Sequence, residues 1–379
     1  MHNPNDPDHL TLHEIKQQPE CWRKTFDIIS DAMPAIDAFL HHFTNNFSER
    51  QIILTGAGTS AYAGIVLESI IRKATNSQVK AVATTDLIID PTSYFKPEAA
   101  TLLVSFARSG DSPESQAAID LADEHLSAVF HLIITCNKNG GIAGKQDAYN
   151  SLVIFLPEET NDKGLAMTSS FSNMLLAGIL AFSWHRIGNV GHQLDLLIRY
   201  GNTLINDCMS YIEEIAKSGF TQAVFLGSGS MTGIAQESKL KLQELTVGAV
   251  MGHHESFLAF RHGPIAVVNA DTLLVYLFSG DPHILKYEMD LVNSLQKGKF
   301  RLGVSQYPLT GVKVDRLLIM SDHDDDPLCA ELLPVCAVMP GQMLGYLTSL
   351  HLGLNPDSPC TDGSYSRVVQ GVNIYPTID

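Results

Sequence analysis

The sequence predicts an α/β protein with two parallel sheets, each covered by helices on both faces in a three-layer arrangement. Three observations lead to this prediction. Short apolar segments alternate with helical ones, which is typical of parallel strands joined by helical crossovers. Two of the apolar segments end in a glycine-rich turn that opens a helix. Finally, strand motifs in the two halves of the chain are related by a constant offset of 171 residues.

The constant offset is visible in two pairs of strands. Residues 51–58 (QIILTGAG) align with residues 222–229 (QAVFLGSG), and residues 101–104 (TLLV) align with residues 272–275 (TLLV). Two separate motifs that share one offset indicate two copies of one α/β domain. We predict a helical segment over 1–47, a first domain over 48–191, a linking helix over 192–217, a second domain over 218–354 and a tail over 355–379.

Each element is predicted from its local pattern. Apolar residues recur at helical intervals from Leu10 to Phe47, and we expect Pro19 and Pro34 to break this stretch. Later helices are predicted at 61–73, 113–125, 168–186, 284–296 and 342–352, and strands at 79–83, 101–105, 130–135, 152–156, 300–304 and 316–320. We expect the tail to lie over the domains as an ordered loop, because four of its apolar residues favour burial: Val368, Val369, Val372 and Ile374.

Composition and charge narrow the classes of function. The chain of 379 residues has 25 Lys and Arg against 41 Asp and Glu, a net charge of −16 that repels nucleic-acid phosphates and anionic membranes. The longest apolar run, from Met174 to Trp184, is too short to span a bilayer. The first 13 residues lack the features of a secretion signal, and the six cysteines form no C-x-x-C pair. We therefore expect a cytoplasmic protein that binds neither nucleic acid nor membranes.

Three hydroxyl-rich segments predict a site for a small phosphorylated ligand. Residues 56–60 (GAGTS) and 105–115 (SFARSGDSPES) each follow an apolar strand and precede a helix, where backbone N–H groups favour an anion. Residues 168–170 (TSS) open another helix. A helix N-cap is the alternative for each segment, and a dinucleotide site is a weak match because Ala61 stands where the third glycine belongs. The candidate binding residues are Gly58, Thr59, Ser60, Arg108, Ser109, Gly110, Ser112, Thr168 and Ser169.

A lysine, a glutamate and a histidine of the second domain predict proton chemistry. Lys241 and Glu244 are three residues apart and share a helical face. A solvated salt bridge is the alternative for this pair. His262 precedes a Gly-Pro pair, so it lies on a turn, where a histidine is a better acid or base than in a core.

Six motifs follow one another along the chain: 56–60 (GAGTS), 105–110 (SFARSG), 112–115 (SPES), 166–171 (AMTSSF), 260–264 (FRHGP) and 367–372 (RVVQGV). In this order they resemble the motifs of double sugar-isomerase (SIS) proteins of the AgaS type, and the resemblance covers nearly the whole chain. It implies flavodoxin-like sheets. A more distant resemblance links the chain to the isomerase half of glucosamine-6-phosphate synthase, whose lysine, glutamate and histidine match Lys241, Glu244 and His262.

The resemblance implies a phosphosugar deaminase and isomerase that converts galactosamine 6-phosphate, or a related hexosamine 6-phosphate, to tagatose 6-phosphate and ammonia. His262 would open the sugar ring, Glu244 would move a proton from C2 to C1, and Lys241 would stabilise negative charge. No metal or organic cofactor is implied. The first copy would hold the phosphate, and the second would supply the proton chemistry. A homodimer or homotetramer with the active site near the subunit interface is expected.

Three alternatives stay open. The first is a tagatose-6-phosphate ketose/aldose isomerase without deamination, and the second is a non-catalytic phosphosugar-binding regulator. The third, on weaker grounds, is a nicotinamide dehydrogenase. A regulator would need an output module, and no basic helix-turn-helix precedes the first copy.

The sequence also departs from its relatives. No lysine follows Lys313 to form the Schiff base of the synthase, and the chain begins Met-His instead of with a glutaminase cysteine, so amide transfer from glutamine is not expected. Glu255 stands where AgaS-type proteins commonly have aspartate, which leaves the sugar epimer open. Ala107 replaces a hydroxyl of the phosphate loop, and Arg108 or backbone groups would compensate.

Two further polar segments are weaker candidates for a metal site. Residues 253–255 (HHE) lack a third ligand at a suitable spacing. Residues 322–326 (DHDDD) lack the glycine and distal glutamate of an EF-hand loop, so a solvated acidic loop is expected.

Overall fold

A computed structural model describes residues 9–144, 149–321, 327–363, 366–368 and 371–375. The chain divides into two compact units, each with one sheet. The first-sheet unit comprises Lys24–Asn161, Asn173–Arg186 and Tyr365–Asp379. The second-sheet unit comprises Met1–Arg23, Asp162–Ser172 and Ile187–Ser364.

The first sheet has five parallel strands: β1 (Arg50–Thr55), β2 (Gln78–Ala81), β3 (Ala100–Ala107), β4 (Val129–Thr135) and β5 (Ser151–Phe155). Their order is β2-β1-β3-β4-β5, which is the flavodoxin-like order. Every residue of the central strand β3 is buried, as expected for a strand with helices on both faces.

The second sheet has the corresponding strands: β6 (Gln222–Gly227), β7 (Met251–Glu255), β8 (Thr272–Leu277), β9 (Phe300–Ser305) and β10 (Arg316–Ile319). Its order, β10-β9-β8-β6-β7, is the flavodoxin-like order read from the opposite edge. The edge strand β7 was not predicted, because its sequence MGHHE lacks an apolar run. Two parallel sheets with flanking helices confirm the predicted fold class.

The 171-residue offset holds in the register of the strands. Gln51 pairs with Thr101 in the first sheet, and Gln222 pairs with Thr272 in the second. In both pairs the glutamine Nε2 donates to the threonine Oγ1, at 2.9 and 2.7 Å respectively. The same side-chain contact therefore joins the same two strands in each sheet.

Among the described residues, none of the helices combines the length and the apolar character that a membrane crossing requires. The segment predicted as a linking helix consists of two helices joined by a π-helical turn over Leu204–Cys208. The helices are α1 (Leu10–Lys16), α2 (Gln18–Asn45), α3 (Thr59–Thr75), α4 (Thr84–Ile89), α5 (Pro113–His125), α6 (Ser169–Ser183), α7 (Val190–Thr203), α8 (Met209–Ala216), α9 (Ser230–Leu245), α10 (Phe257–Phe260), α11 (Pro282–Ser294), α12 (Leu333–Ala337) and α13 (Met339–His351).

The amino-terminal helices correct one prediction. A break occurs before Pro19, which is the second residue of α2, where a missing N–H costs no hydrogen bond. The predicted break at Pro34 is wrong, because α2 continues through it. Proline removes one hydrogen bond there, and the burial of Met33 and Ile36 on either side favours the continuous helix.

The tail also differs from its prediction. Ile374 was expected to be buried, but it is 40% exposed, and the neighbouring Tyr375 is 77% exposed. Val368 and Val372 are half-buried, and Val369 lies outside the described residues. Apolar character alone does not bury a side chain unless another segment covers it.

Candidate functional site

The first sheet places the two main predicted phosphate loops at neighbouring positions on its carboxyl edge. Strands β1 and β3 pair directly, and β2 lies on the other side of β1. At such a switch point the following connections leave in opposite directions and open a crevice, the usual ligand site of these sheets. Residues 56–60 follow β1, and residues 108–112 follow β3.

The first loop is a tight turn from strand to helix. A Cβ on Gly56 would lie 2.6 Å from the carbonyl carbon of Ser60, so the turn leaves no room for a side chain. Gly58 has φ 55° and ψ −125°, a conformation that favours glycine. Thr59 and Ser60 open α3 and are buried. The Ser60 hydroxyl contacts the Met174 sulfur, a weak acceptor, at 4.0 Å.

The second loop contains the other predicted phosphate ligands of this sheet. Gly110 has φ 69°, and Ser112 caps α5 by accepting a hydrogen bond from the Ser115 N–H at 3.2 Å. The N-cap alternative is therefore observed for Ser112. The Ser109 carbonyl accepts a hydrogen bond from Asn137 Nδ2 at 2.7 Å, which holds the loop.

Arg108 joins this loop to the tail. It is buried, and its Nη2 donates to the Arg367 carbonyl at 2.5 Å. The Arg367 guanidinium donates in turn to Asn161 Oδ1 at 2.7 Å. The tail motif 367–372, of which 369 and 370 lie outside the described residues, thus contacts the predicted phosphate loop through its first residue.

Two further hydroxyl groups at this edge were missed as binding candidates. Thr55 and Ser105 are register partners on β1 and β3, so their side chains share a face. Both hydroxyl oxygens are buried and have no hydrogen-bond partner among the described residues. The available signal was a polar residue in each otherwise apolar strand.

The third predicted hydroxyl set lies in the second-sheet unit and has an internal partner. Asp162 accepts hydrogen bonds from the backbone N–H groups of Thr168, at 2.8 Å, and Ser170, at 2.9 Å. It also accepts one from the Ser169 hydroxyl. Thr168 and Ser169 are completely buried. This arrangement caps the start of α6, and a binding role for these two residues stays a prediction.

The Lys241–Glu244 pair is a buried ion pair. Lys241 Nζ lies 2.7 Å from Glu244 Oε2 and 3.2 Å from Glu237 Oε1. The side chains of Lys241 and Glu237 are 0% exposed, whereas that of Glu244 is 28% exposed. The alternative of a solvated salt bridge is therefore wrong. Glu237 was missed, although it lies one helical turn before Lys241 on the same face.

The charge of Lys241 depends on its two neighbours. Burial alone lowers the pKa of Lys241, but the charges of Glu237 and Glu244 outweigh burial and raise the pKa above its ordinary value. Lys241 is therefore an ammonium group at neutral pH. Glu244 is the member of the cluster that a ligand can reach.

Close packing of α13 on α9 explains the burial of Lys241. A Cβ on Gly341 would lie 2.3 Å from Ser238 Oγ, and one on Gly345 would lie 2.9 Å from the Lys241 carbonyl oxygen. The two glycines are four residues apart and form one stripe of α13. Their missing side chains let the helix backbones approach and exclude water from the Lys241 stem.

His262 lies on an exposed turn, as predicted. Ser256 caps the short helix α10, the His262 N–H donates to the Ala259 carbonyl at 2.9 Å, and Gly263 has φ 123°. The ring forms no hydrogen bond or ion pair within the part of the chain that the structure describes. The structure therefore does not bring His262 into contact with Lys241 or Glu244.

The described residues contain no cluster of metal ligands. Within them, no three His, Cys, Asp or Glu side chains lie close enough together to hold a metal ion. His253, His254 and Glu255 lie along the edge strand β7, whose successive side chains point to opposite faces. Burial and the Lys239 charge lower the pKa of His254. Residues 322–326 lie outside the described residues.

Comparison with known proteins relates this architecture to one family. The SIS domain model matches residues 47–183. A Streptomyces coelicolor protein named AgaS is 39% identical over 382 residues, which span 96% of this chain and 95% of the relative. The D-galactosamine-6-phosphate deaminase AgaS of Shewanella sp. (strain ANA-3) is 37% identical over 375 residues, which span 97% of this chain and 92% of the relative.

A solved structure agrees with these relatives. The crystal structure of tagatose-6-phosphate ketose/aldose isomerase from Escherichia coli matches with a TM-score of 0.86 and 32% identity, covering 98% of this chain and 97% of that one. Sequence and fold thus agree along almost the whole length of the chain. The predicted relationship is confirmed: this chain belongs to the AgaS-type family of double-SIS proteins.

Proposed function

We propose that the chain is a phosphosugar deaminase and isomerase. It converts galactosamine 6-phosphate to tagatose 6-phosphate and ammonia, or a related hexosamine 6-phosphate to the corresponding ketose 6-phosphate and ammonia. One observation carries the proposal. Glu244, a partly exposed carboxylate, is held 2.7 Å from the buried ammonium group of Lys241. A reachable base beside a fixed positive charge suits proton transfer at a carbon next to a carbonyl.

The chemistry follows from these groups. His262 moves a proton between the anomeric hydroxyl and the ring oxygen, and the sugar opens. Glu244 takes the proton from C2, and the Lys241 ammonium stabilises the negative charge that develops. The same carboxyl group returns the proton to C1, which leaves a C2 imine. Water adds at C2, ammonia departs, and a ketose phosphate remains.

The phosphate is assigned to the switch point of the first sheet. Backbone N–H groups at the start of α3 and hydroxyls from both loops would surround it, and Arg108 supplies positive charge in a chain of net charge −16. The ligand residues proposed here are Gly58, Thr59, Ser60, Arg108, Ser109, Gly110 and Ser112.

The reaction also requires that His262 of one subunit reach the bound sugar. Because His262 is exposed on its turn, it is free to reach a site formed with a neighbouring subunit. We therefore propose a homodimer or homotetramer with the active site near the subunit interface. The domain boundaries given above also stay a prediction.

The test is an assay for ammonia and ketose on a panel of hexosamine and hexose 6-phosphates. We expect ammonia from galactosamine 6-phosphate, and a loss of at least about 100-fold in kcat for Glu244→Gln with substrate binding retained. Glu214→Gln, at an exposed glutamate of α8, is the matched control and should keep wild-type activity. Ketose formation from aldose phosphates without ammonia would favour the isomerase, and binding without any turnover would favour the regulator.

A further inference from the structure

The second sheet has a switch point of its own. Its strand order places β6 and β8 side by side, as β1 and β3 are in the first sheet. The turn after β6 also has the same backbone. Gly229 has φ 59° and ψ −126°, against 55° and −125° for Gly58, and a Cβ on Gly227 would lie 2.3 Å from the Met231 carbonyl oxygen. Both sheets therefore retain the geometry of an anion-binding turn.

The side chains at the two switch points differ. The second crevice lacks the guanidinium of Arg108 and the hydroxyls of Ser60 and Ser109, whereas the hydroxyl of Thr59 has a counterpart in Ser230. Counted by the 171-residue offset, Met231 replaces Ser60, Ser279 replaces Arg108, and Gly280 replaces Ser109.

The helix that follows carries a negative charge at its start. Helices α5 and α11 both begin with proline, and the loop before α11 is two residues shorter than the 171-residue offset requires. Helix α5 is capped by the neutral hydroxyl of Ser112. Helix α11 is capped by Asp281, which accepts hydrogen bonds from the N–H groups of His283, at 2.8 Å, and Ile284, at 3.2 Å. A carboxylate already occupies the helix start that would attract an anionic ligand.

A second carboxyl group fills the crevice from inside. Glu288 of α11 is completely buried, and its Oε2 accepts a hydrogen bond from the Ser279 N–H at 2.9 Å. The Ser228 hydroxyl also bonds to this carboxyl. Ser228 follows β6 and Ser279 lies two residues after β8, so the carboxyl bridges the two loops of the switch point. The other oxygen, Oε1, is buried and has no partner among the described residues.

We propose that the Glu288 carboxyl takes, in the second sheet, the place that a ligand's phosphate takes in the first, so that the chain binds one phosphosugar and its second crevice is closed by its own side chain. A carboxyl group offers acceptor oxygens to the same backbone donors that a phosphate would use. A phosphate that entered this crevice would have to displace the buried Glu288 carboxyl, and it would also face the Asp281 carboxylate at the start of α11. The inference rests on the proposed phosphate site only for the comparison between sheets.

The helices that follow the two turns, α3 and α9, also differ in the polarity of corresponding residues. Glu237 and Lys241 of α9 correspond by the offset to Val66 and Ile70 of α3, which are buried apolar residues. The second copy therefore has an ion pair where the first has buried apolar residues. One copy retains the phosphate crevice, and the other retains the turn but carries the acid–base residues.

The test is to count phosphate sites by isothermal titration with inorganic phosphate and with galactosamine 6-phosphate. We expect one site per wild-type chain, weakened at least about 10-fold by Ser109→Ala. The double variant Asp281→Ser/Glu288→Ala should gain a second, weaker site for inorganic phosphate that Ser109→Ala leaves unchanged. No site or two sites in the wild type, or one site in a double variant that still unfolds cooperatively, would overturn the proposal.

A second measurement covers a double variant that fails to fold. Wild-type crystals soaked in phosphate should show density at residues 58–60 and 108–112 and none between Ser228 and Ser279. Density between these two serines would contradict the inference. Because both readouts concern binding, a chain that binds one phosphate but releases no ammonia would refute the proposed function alone.

Discussion

At the residue scale, the dominant feature is a lysine ammonium buried between two carboxylates. Removing an ion from water costs several kcal/mol, and only close partners offset that cost. Glu237 and Glu244 supply those partners on successive turns of α9. The buried Glu237 holds Lys241 charged, while Glu244 keeps contact with solvent. The three residues therefore act as one unit whose members have different duties.

Removing the buried partner should destabilise the protein. Glu237→Gln leaves Lys241 with one carboxylate instead of two, and we expect the free energy of unfolding in urea to fall by about 3 to 5 kcal/mol. Asp315→Asn is the matched control. It breaks the 2.7 Å ion pair between Arg301 and Asp315, whose side chains are 19% and 37% exposed respectively. We expect this variant to cost about 0 to 1 kcal/mol. Equal losses in the two variants would contradict the role assigned to burial.

At the scale of elements, both sheets depend on the turn that leads from their first strand into a helix. Gly58 and Gly229 have nearly identical dihedral angles, and a Cβ added to either would meet no other atom within 4 Å, so only backbone conformation requires glycine there. The turns orient the first N–H groups of α3 and α9 toward the carboxyl edge of each sheet. In one sheet those groups are assigned to a ligand, and in the other Glu288 fills the crevice.

Alanine at these turns should separate stability from binding. Gly58→Ala and Gly229→Ala should each cost about 1 to 3 kcal/mol of unfolding free energy through backbone strain. Gly191→Ala, in the first turn of α7 where a Cβ meets nothing, is the control and should be neutral or stabilising by about 0.5 to 1 kcal/mol. Phosphate affinity should fall only for Gly58→Ala. A comparable fall for Gly229→Ala would count against the unequal roles of the two crevices.

At the scale of the whole molecule, two buried carboxyl groups couple stability to pH. Burial, followed by the Asp162 charge, raises the pKa of Glu14 to about 7. Burial likewise raises the pKa of Glu288 to about 7. A carboxyl whose pKa is raised in the folded state stabilises the fold below its unfolded pKa of about 4.5, and that contribution is lost as the pH rises through 7.

The free energy of unfolding should therefore decrease between pH 5 and pH 8. At ~1.4 kcal/mol per pKa unit, each group accounts for about 3 kcal/mol of the change. Glu288→Gln cannot ionise, so urea titrations of this variant should show a decrease that is smaller by that amount. Asp315→Asn, at a surface carboxylate whose pKa the Arg301 hydrogen bond lowers, should leave the slope between pH 5 and pH 8 unchanged. An unchanged slope for Glu288→Gln would show that this carboxyl does not titrate in that range.

Local pattern was sufficient for much of this protein. Apolar runs bounded by glycine, and the shared 171-residue offset, predicted two parallel sheets and the loops at their switch points. Helical spacing placed Lys241 and Glu244 on one face, and the Gly-Pro pair placed His262 on a turn. These features depend on neighbours a few residues apart, which is why a single sequence reveals them.

Tertiary structure decided which side chains are buried and what they contact. The glycine stripe of α13 buries Lys241, and Asp162 accepts a hydrogen bond from the Ser169 hydroxyl. Packing keeps α2 continuous at Pro34, whereas it leaves Ile374 exposed. Glu288 closes the second crevice because two loops, separated along the chain, meet at its carboxyl. Desolvation and hydrogen bonding are set by segments brought together in folding, so periodicity and spacing alone could not predict them.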